Sequence, residues 1–326
     1  MNAELYPWQA ESWQRFCQQK KQQRLPHAIL LTGVTGLAKN ILSDNMVASV
    51  LCLTATADNA ACGDCHSCQL FTAGNHPDHI KIAPEEQGKQ IKIDQIRQLK
   101  EKQNLTATVS SWKTVIISPA DSMNISSSNS LLKLLEEPPT NTLLILVTAK
   151  PEKMPITIRS RCQIIHLTSP DSTQSIQWLK DNGDISDNAE IDKILQLAKG
   201  APLLAQEMLK DGILQQYQQI EQDFNTLMND GVNPVALATS WLQYDLINIL
   251  NQLHYLLKQR LISQLENRQG ASLSTDKSNR LYWQISDCII NTMKLTSSQN
   301  NINKTLLIED FIVSVMKFSN RINQGR

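Results

Sequence analysis

The sequence is short of net charge, of glycine and proline, and of long apolar runs, and each shortage removes a class of protein. Lys plus Arg and Asp plus Glu number 31 each. No global field therefore draws the chain onto a polyanion, and any nucleic-acid contact must come from a local patch. Eleven glycines and twelve prolines in 326 residues exclude collagen-like repeats and low-complexity disorder. No run approaches the roughly 20 apolar residues that span a bilayer. The first residues, MNAELYPWQAESW, lack the basic start and apolar stretch of a secretory leader, so the expected location is the cytoplasm, with no membrane partner. Seven cysteines, an odd number, argue against a disulfide framework and for thiols with another task.

What is present is ordinary globular material: hydrophobic residues make up 41% and charged residues 19%, enough for two or three domains with their own cores. Four short apolar runs, Ala28–Leu31, His79–Ile82, Val115–Ile117 and Leu143–Val147, read as buried strands, each followed by polar or helix-like sequence. Such alternation builds a parallel α/β sheet. Gln163–Leu167 is a fifth candidate strand, after which Ser169-Pro170-Asp171 reads as a linker opening a helix. From about Ser172 the pattern is helical, and Gly200-Ala201-Pro202 separates a small helical unit from a longer helical tail. In the tail Ile213, Tyr217, Ile220, Phe224 and Leu227 recur three or four apart, as do Leu246, Ile249, Leu253 and Leu256, and Phe311, Val315 and Phe318. These are packing stripes. Asn267–Asn279 reads as a loop between helices.

After the first strand, Gly33-Val34-Thr35-Gly36-Leu37-Ala38-Lys39-Asn40 falls into the frame of a phosphate-binding loop, G-x-x-x-x-G-K-[ST], with two defects. Lys39 survives. Ala38 replaces the last glycine, adding a methyl where the backbone approaches phosphate or adopts a conformation that favours glycine. Asn40 replaces the hydroxyl residue that completes a magnesium shell, and its amide oxygen is a poor substitute. A strand-to-helix turn without any nucleotide stays open as a reading of this motif alone. The second element of such ATPases is an apolar strand ending in acidic residues. Here Thr114-Val115-Ile116-Ile117 runs into Ser118 and Pro119, and the next carboxylate, Asp121, is placed for a cap or a turn rather than for magnesium.

Cys52, Cys62, Cys65 and Cys68 form C-x9-C-x2-C-x2-C, with Gly63 assisting the turn. Four thiolates close a tetrahedral zinc site, leaving no position for a catalytic water, so the expected role is structural. Buried reduced cysteines are the alternative, although a polar knuckle is poor company for an apolar core. His66, His76 or His79 could replace one thiol as ligand; Cys17, Cys162 and Cys288 stand alone and read as core residues.

Asn129–Pro139 reads NSLLKLLEEPP, an amphipathic helix with Leu131, Leu134 and Leu135 on one face, closed by two prolines. Glu136 and Glu137 sit at its C-terminal end, where the macrodipole disfavours anions by about 0.3–1 kcal/mol each. A partner or an internal basic residue could compensate; otherwise both are solvated. Ile158-Arg159-Ser160-Arg161-Cys162 precedes the fifth strand and places an arginine at the sheet's edge. A planar guanidinium there suits phosphate charge held outside this chain, while a surface ion pair is the plainer reading.

Together Tyr6-Pro7-Trp8, Leu25-Pro26-His27-Ala28, the cysteine knuckle, His76-Pro77-Asp78, the LLKLLEEPP stretch and Ser160-Arg161-Cys162 resemble the clamp-loader family of AAA+ proteins, which serves the bacterial DNA polymerase III holoenzyme. The resemblance spans most of the chain. It implies an α/β fold: an AAA+-type parallel sheet domain over residues 1–168 with a zinc module at 52–68, a small helical lid over 169–210, and an all-helical collar over 211–326. It implies that Arg161 acts as an arginine finger on the nucleotide of an adjacent subunit. Motor members of the family keep an intact loop, an acidic pair and a lid arginine. Here the loop is degenerate, the acidic pair is absent, and Leu203 in Gly200-Ala201-Pro202-Leu203-Leu204 stands where the arginine is expected. The pattern matches the family's non-hydrolysing members, with Gly33, Gly36 and Lys39 a vestige that binds ATP weakly or not at all. Implied partners are the motor (gamma/tau) and delta subunits of a five-membered ring, and through them the sliding clamp and primed-template DNA. Two readings stay open beside it: an ATPase motor that uses Lys39, and a zinc-dependent nucleic-acid adaptor, which the neutral charge disfavours.

Overall fold

The computed structural model describes residues 4–56, 58–86, 88–103, 106–183, 187–229, 233–266, 277–297 and 303–323. The chain divides into two compact units, Met1–Glu207 and Met208–Arg326.

In the first unit the strands are β1 (Ala28–Thr32), β2 (His79–Ile82), β3 (Lys113–Ile117), β4 (Thr142–Thr148) and β5 (Gln163–His166). They form one sheet in the order β2-β3-β4-β1-β5, and every pairing is parallel. The helices are α1 (Ala10–Lys21), α2 (Lys39–Leu51), α3 (His66–Thr72), α4 (Ile93–Gln103), α5 (Ile125–Glu136), α6 (Ile156–Arg159), α7 (Ser172–Asn182), α8 (Asn188–Leu197) and the first two turns of α9 (Pro202–Lys210), within which the unit ends. All five strands fall where the apolar runs place them, and Asp171 caps α7 by accepting from the Gln174 N–H at 2.7 Å.

Period-two alternation sorts the strand side chains onto two faces. Ile29, Leu31, Ile116, Leu143, Ile145, Val147 and Ile165 meet Phe16 of α1 and Leu42 and Met46 of α2. Ala28, Leu30, Ile82, Val115, Ile117, Leu144 and Leu146 meet Ile96 and Leu99 of α4 and Leu131, Leu134 and Leu135 of α5. A sheet covered on both faces needs uninterrupted apolar strands, and all seven residues of β4 are buried. Truncating a side chain here, as in Leu144→Ala, is a cavity-forming change of about 2–5 kcal/mol.

Helix α5 begins four residues before the reading NSLLKLLEEPP places it. Ser126–Ser128 are weak helix formers, but Ser127 and Ser128 are buried and the Asn124 side chain caps the helix, accepting from the Ser127 N–H at 2.8 Å.

The second unit consists of α10 (Ile213–Met228), α11 (Pro234–Trp241), α12 (Leu246–Glu266), α13 (Lys277–Ser297) and α14 (Lys304–Asn323). Tyr217, Ile220, Phe224 and Leu227 of α10 are buried, as are Leu246, Ile249, Leu253 and Leu256 of α12 and Phe311 and Val315 of α14. Ile213 and Phe318 are half-buried. The Trp241 indole N–H donates to Asp223 Oδ2 at 2.9 Å, tying α11 to α10. The loop expected over Asn267–Asn279 ends early, since Lys277, Ser278 and Asn279 already belong to α13; the remainder lies outside the described residues. Three polar residues carry no apolar periodicity from which a helix start could be read. Among the described residues no helix is long and apolar enough to cross a membrane.

A buried polar network ties β2 to α3. His76 Nδ1 accepts from the Asp78 N–H at 3.1 Å, which leaves Nε2 as the protonated nitrogen against the Ser67 hydroxyl at 2.8 Å, and Ser67 donates to the Leu51 carbonyl at 2.7 Å. His79 Nδ1 meets the Thr114 hydroxyl at 2.9 Å. Burial pushes the His76 imidazole below its ordinary range and drives His79 down to about 4. Burial alone would raise the Asp78 carboxyl, but the N–H groups of Ser110, Thr108 and Val109 outweigh it and hold it low. Because both imidazoles take up protons less readily when folded, while the unfolded chain does so below about pH 6.5, stability is expected to fall as pH drops from that value towards 4, where His79 itself titrates. Urea unfolding at stepped pH measures this. The fall should be shallower in His79→Gln, and an equal slope in the variant would remove His79 as a source.

Candidate functional site

With all strands parallel, their carboxyl ends share one edge, and ligands of open α/β sheets bind there, at the point where the strand order reverses. That point is the β1–β4 junction: Thr32 pairs with Thr148 and Ile117 with Leu146. The loop Gly33–Ala38 emerges from β1, which lies between β4 and β5, and leads into α2, whose first residues Lys39 and Asn40 face Asp121 and Ser118 beyond β3.

The loop is stitched to its own chain. Lys39, a mere 9% exposed, turns its Nζ back to donate to the Val34 carbonyl at 2.6 Å. Burial lowers its ammonium from the usual lysine range, with the Asp121 carboxylate pulling the other way. The Leu37 carbonyl accepts from Trp8 Nε1 at 3.2 Å and Gln9 Nε2 at 2.9 Å, and the Ala38 carbonyl accepts from Gln9 Nε2 at 2.8 Å. Ala38 lies in the left-handed region at φ 55°, the strained position expected where alanine stands for glycine. Asn40 Oδ1, the candidate cation contact, accepts from the Ser118 hydroxyl at 2.8 Å. Asp121 Oδ1 accepts from the Thr148 hydroxyl at 2.6 Å, a structural partner in keeping with its reading as a turn residue.

The glycines admit close neighbours. A Cβ on Gly33, at φ 141°, would lie 2.5 Å from the Leu167 carbonyl oxygen; one on Gly36, at φ 84°, would lie 2.4 Å from Leu204 Cβ and 2.6 Å from the Leu204 nitrogen. The first turn of α9 therefore sits directly on the loop, through Leu204 rather than through Leu203. Tyr6 and Trp8 stack at 4.9 Å, and Trp178 of α7 meets both edge-on.

The cysteines cluster as their spacing indicates. Cys52 ends α2, Cys65 precedes α3 and Cys68 lies within it. The four Sγ atoms all lie within 4.8 Å of one another, a set that could hold a metal ion. Cys52 to Cys65 and Cys62 to Cys68 are each 3.9 Å, close to the edge of about 3.8 Å that a tetrahedron of 2.3 Å zinc–sulfur bonds requires. The Thr54 hydroxyl donates to Cys62 Sγ at 3.3 Å and, with the N–H groups of Cys65 and Asp64, pulls that thiol down to about 6. His76 and His79 belong to the network described above, and the cluster is made of thiols alone. Cys17 is buried, and Cys162 and Cys288 are half-buried.

Arg161 follows α6 at the start of the edge strand β5. Its Nη2 pairs with Glu136 Oε1 at 2.7 Å and its Nη1 donates to the Thr157 carbonyl at 3.0 Å. An internal basic residue thus offsets the charge of Glu136 at the end of α5.

A family model described as "DNA polymerase III, delta subunit" matches residues 8–171. The DNA polymerase III subunit delta' of Pseudomonas aeruginosa is 35% identical over 239 residues, covering 73% of this chain and 72% of that protein. This chain belongs to the DNA polymerase III delta-prime family of clamp-loader proteins. Two further delta-prime relatives, from Haemophilus influenzae and Escherichia coli, are each 32% identical over 68% and 60% of this chain, and the matched stretches span 66% and 58% of those proteins.

Residue types and spacing alone point to the loop, the thiols and Arg161. The internal partners of Lys39, Asn40 and Asp121, and the approach of Leu204 to Gly36, are visible only in the fold. The only local signals were Gln9, a buried amide in a short turn, and the apolar pair Leu203-Leu204 where a charge is expected. Gly36→Ala is expected to cost about 1–3 kcal/mol through overpacking beyond the cost of Gly74→Ala, whose new Cβ meets nothing within 4 Å. Thermal unfolding of the two variants measures the difference.

Proposed function

We propose that this chain is the non-hydrolysing subunit of a clamp-loader ring and that Arg161 serves as an arginine finger for the nucleotide of a neighbouring motor subunit. The contrast between two cations carries the reading. Lys39, which in a working loop faces the terminal phosphates, is turned onto the carbonyl of Val34. Arg161 keeps 37% of its side chain exposed, two residues before the start of the edge strand β5. A planar guanidinium supplied from outside stabilises the charge of a transferring phosphoryl group without belonging to the pocket that binds it.

On this reading residues 1–168 are the sheet domain, 169–210 the lid and 211–326 the collar that assembles with sister subunits. The partners are the gamma/tau motors and the delta subunit, and the ring places the sliding clamp on primed-template DNA in the cytoplasm. The loop of Gly33, Gly36 and Lys39 contributes no ATP turnover, because the groups that would place magnesium are absent and the lysine is engaged. Cys52, Cys62, Cys65 and Cys68 hold one structural zinc, whose contribution is to fix the knuckle between α2 and α3. Metal analysis of the purified chain should find about one zinc per chain, with loss of that zinc in Cys65→Ser; a metal-free native chain would contradict the assignment.

In a reconstituted loader Arg161→Ala is expected to leave folding intact and lower clamp-dependent ATP hydrolysis about ten-fold at the interface it serves, a modest share of what fingers contribute elsewhere. An unchanged rate would remove the role. ATP turnover above background by the isolated chain would favour the motor reading instead.

A further inference from the structure

We propose that Glu136 is a positioning residue for Arg161, holding the guanidinium in one orientation before a neighbouring nucleotide is present; this rests on the arginine-finger reading above. An arginine at a surface ordinarily samples many rotamers, and each must be given up when it docks. Here two of its nitrogens are anchored separately, Nη2 on the Glu136 carboxylate and Nη1 on the Thr157 carbonyl. Two anchors on a rigid planar fork fix its plane as well as its place. The guanidinium has five N–H donors, so hydrogens remain on the same fork for a phosphate.

Both anchors are themselves held. Glu136 is the last residue of α5, directly after the buried Leu134 and Leu135, and the Glu137 N–H closes the helix on the Lys133 carbonyl before Pro138. Thr157 precedes the fully buried Ile158 in α6. The helix dipole disfavours an anion at Glu136, which faces its negative end, and the one basic residue in that turn is Lys133. Stability does not account for the pair either: the side chains are 37% and 47% exposed, and water screens such a contact to little net worth. Orientation of the arginine is the consequence that remains.

The test uses the reconstituted loader, with clamp and primed DNA, and compares Arg161→Ala, Glu136→Ala, Glu136→Gln, the double alanine variant and Glu137→Ala as control. Glu136→Ala should lower turnover about two- to five-fold, the span of an exposed ion pair's coupling, with the KM for ATP unchanged. Glu136→Gln keeps the acceptor oxygen and should recover most of the rate. The double variant should be no slower than Arg161→Ala, since the two act through one group. A lowered Arg161→Ala rate beside an unchanged or faster Glu136→Ala rate overturns this proposal alone, as do equal losses in the Ala and Gln variants. An unchanged Arg161→Ala rate overturns the finger reading and this one with it.

Discussion

The parallel pairing of β1 with β4 is the constraint on which the sheet unit's site depends. It brings the carboxyl ends of β1, β3 and β4 to one edge and so gathers Lys39, Asn40, Ser118, Asp121 and Thr148 around one loop. In an open site such groups would be spare donors and acceptors. Here each has an internal partner: Lys39 the Val34 carbonyl, Asn40 the Ser118 hydroxyl, and Asp121 the Thr148 hydroxyl. The strand–loop–helix architecture of a phosphate site is kept. Leu204 adds an apolar contact directly on Gly36.

The same unit carries a second cation with the opposite disposition. Arg161 is half exposed, anchored at two nitrogens and set at the edge of the sheet. Its carboxylate partner stands at the end of a helix whose buried face is Leu131, Leu134 and Leu135, so packing on one side of α5 fixes a charge on the other.

Much of this was legible from residue types. Continuous apolar runs announced strands buried on both faces, and cysteine spacing announced a cluster whose sulfurs do converge. The Ser160-Arg161-Cys162 segment located the edge arginine. What could not be read are contacts between distant segments, such as Gly36 with Leu204 or Thr148 with Asp121, because no local periodicity encodes them. His76 and His79, near the thiols in sequence, are drawn instead into hydrogen bonds with Ser67 and Thr114. The start of α5 was missed because serines with poor helix propensity precede it, and burial with an Asn124 cap overrides that propensity.

The central claim is that the chain's own loop is closed to triphosphate while its edge arginine serves another subunit. A cryo-electron microscopy structure of the assembled loader with a non-hydrolysable ATP analogue tests both halves at once. The account predicts the Arg161 guanidinium within hydrogen-bonding distance of the neighbour's terminal phosphate, with no analogue beside Gly33–Lys39. A guanidinium turned to solvent away from any phosphate, or analogue density in that loop, would contradict it.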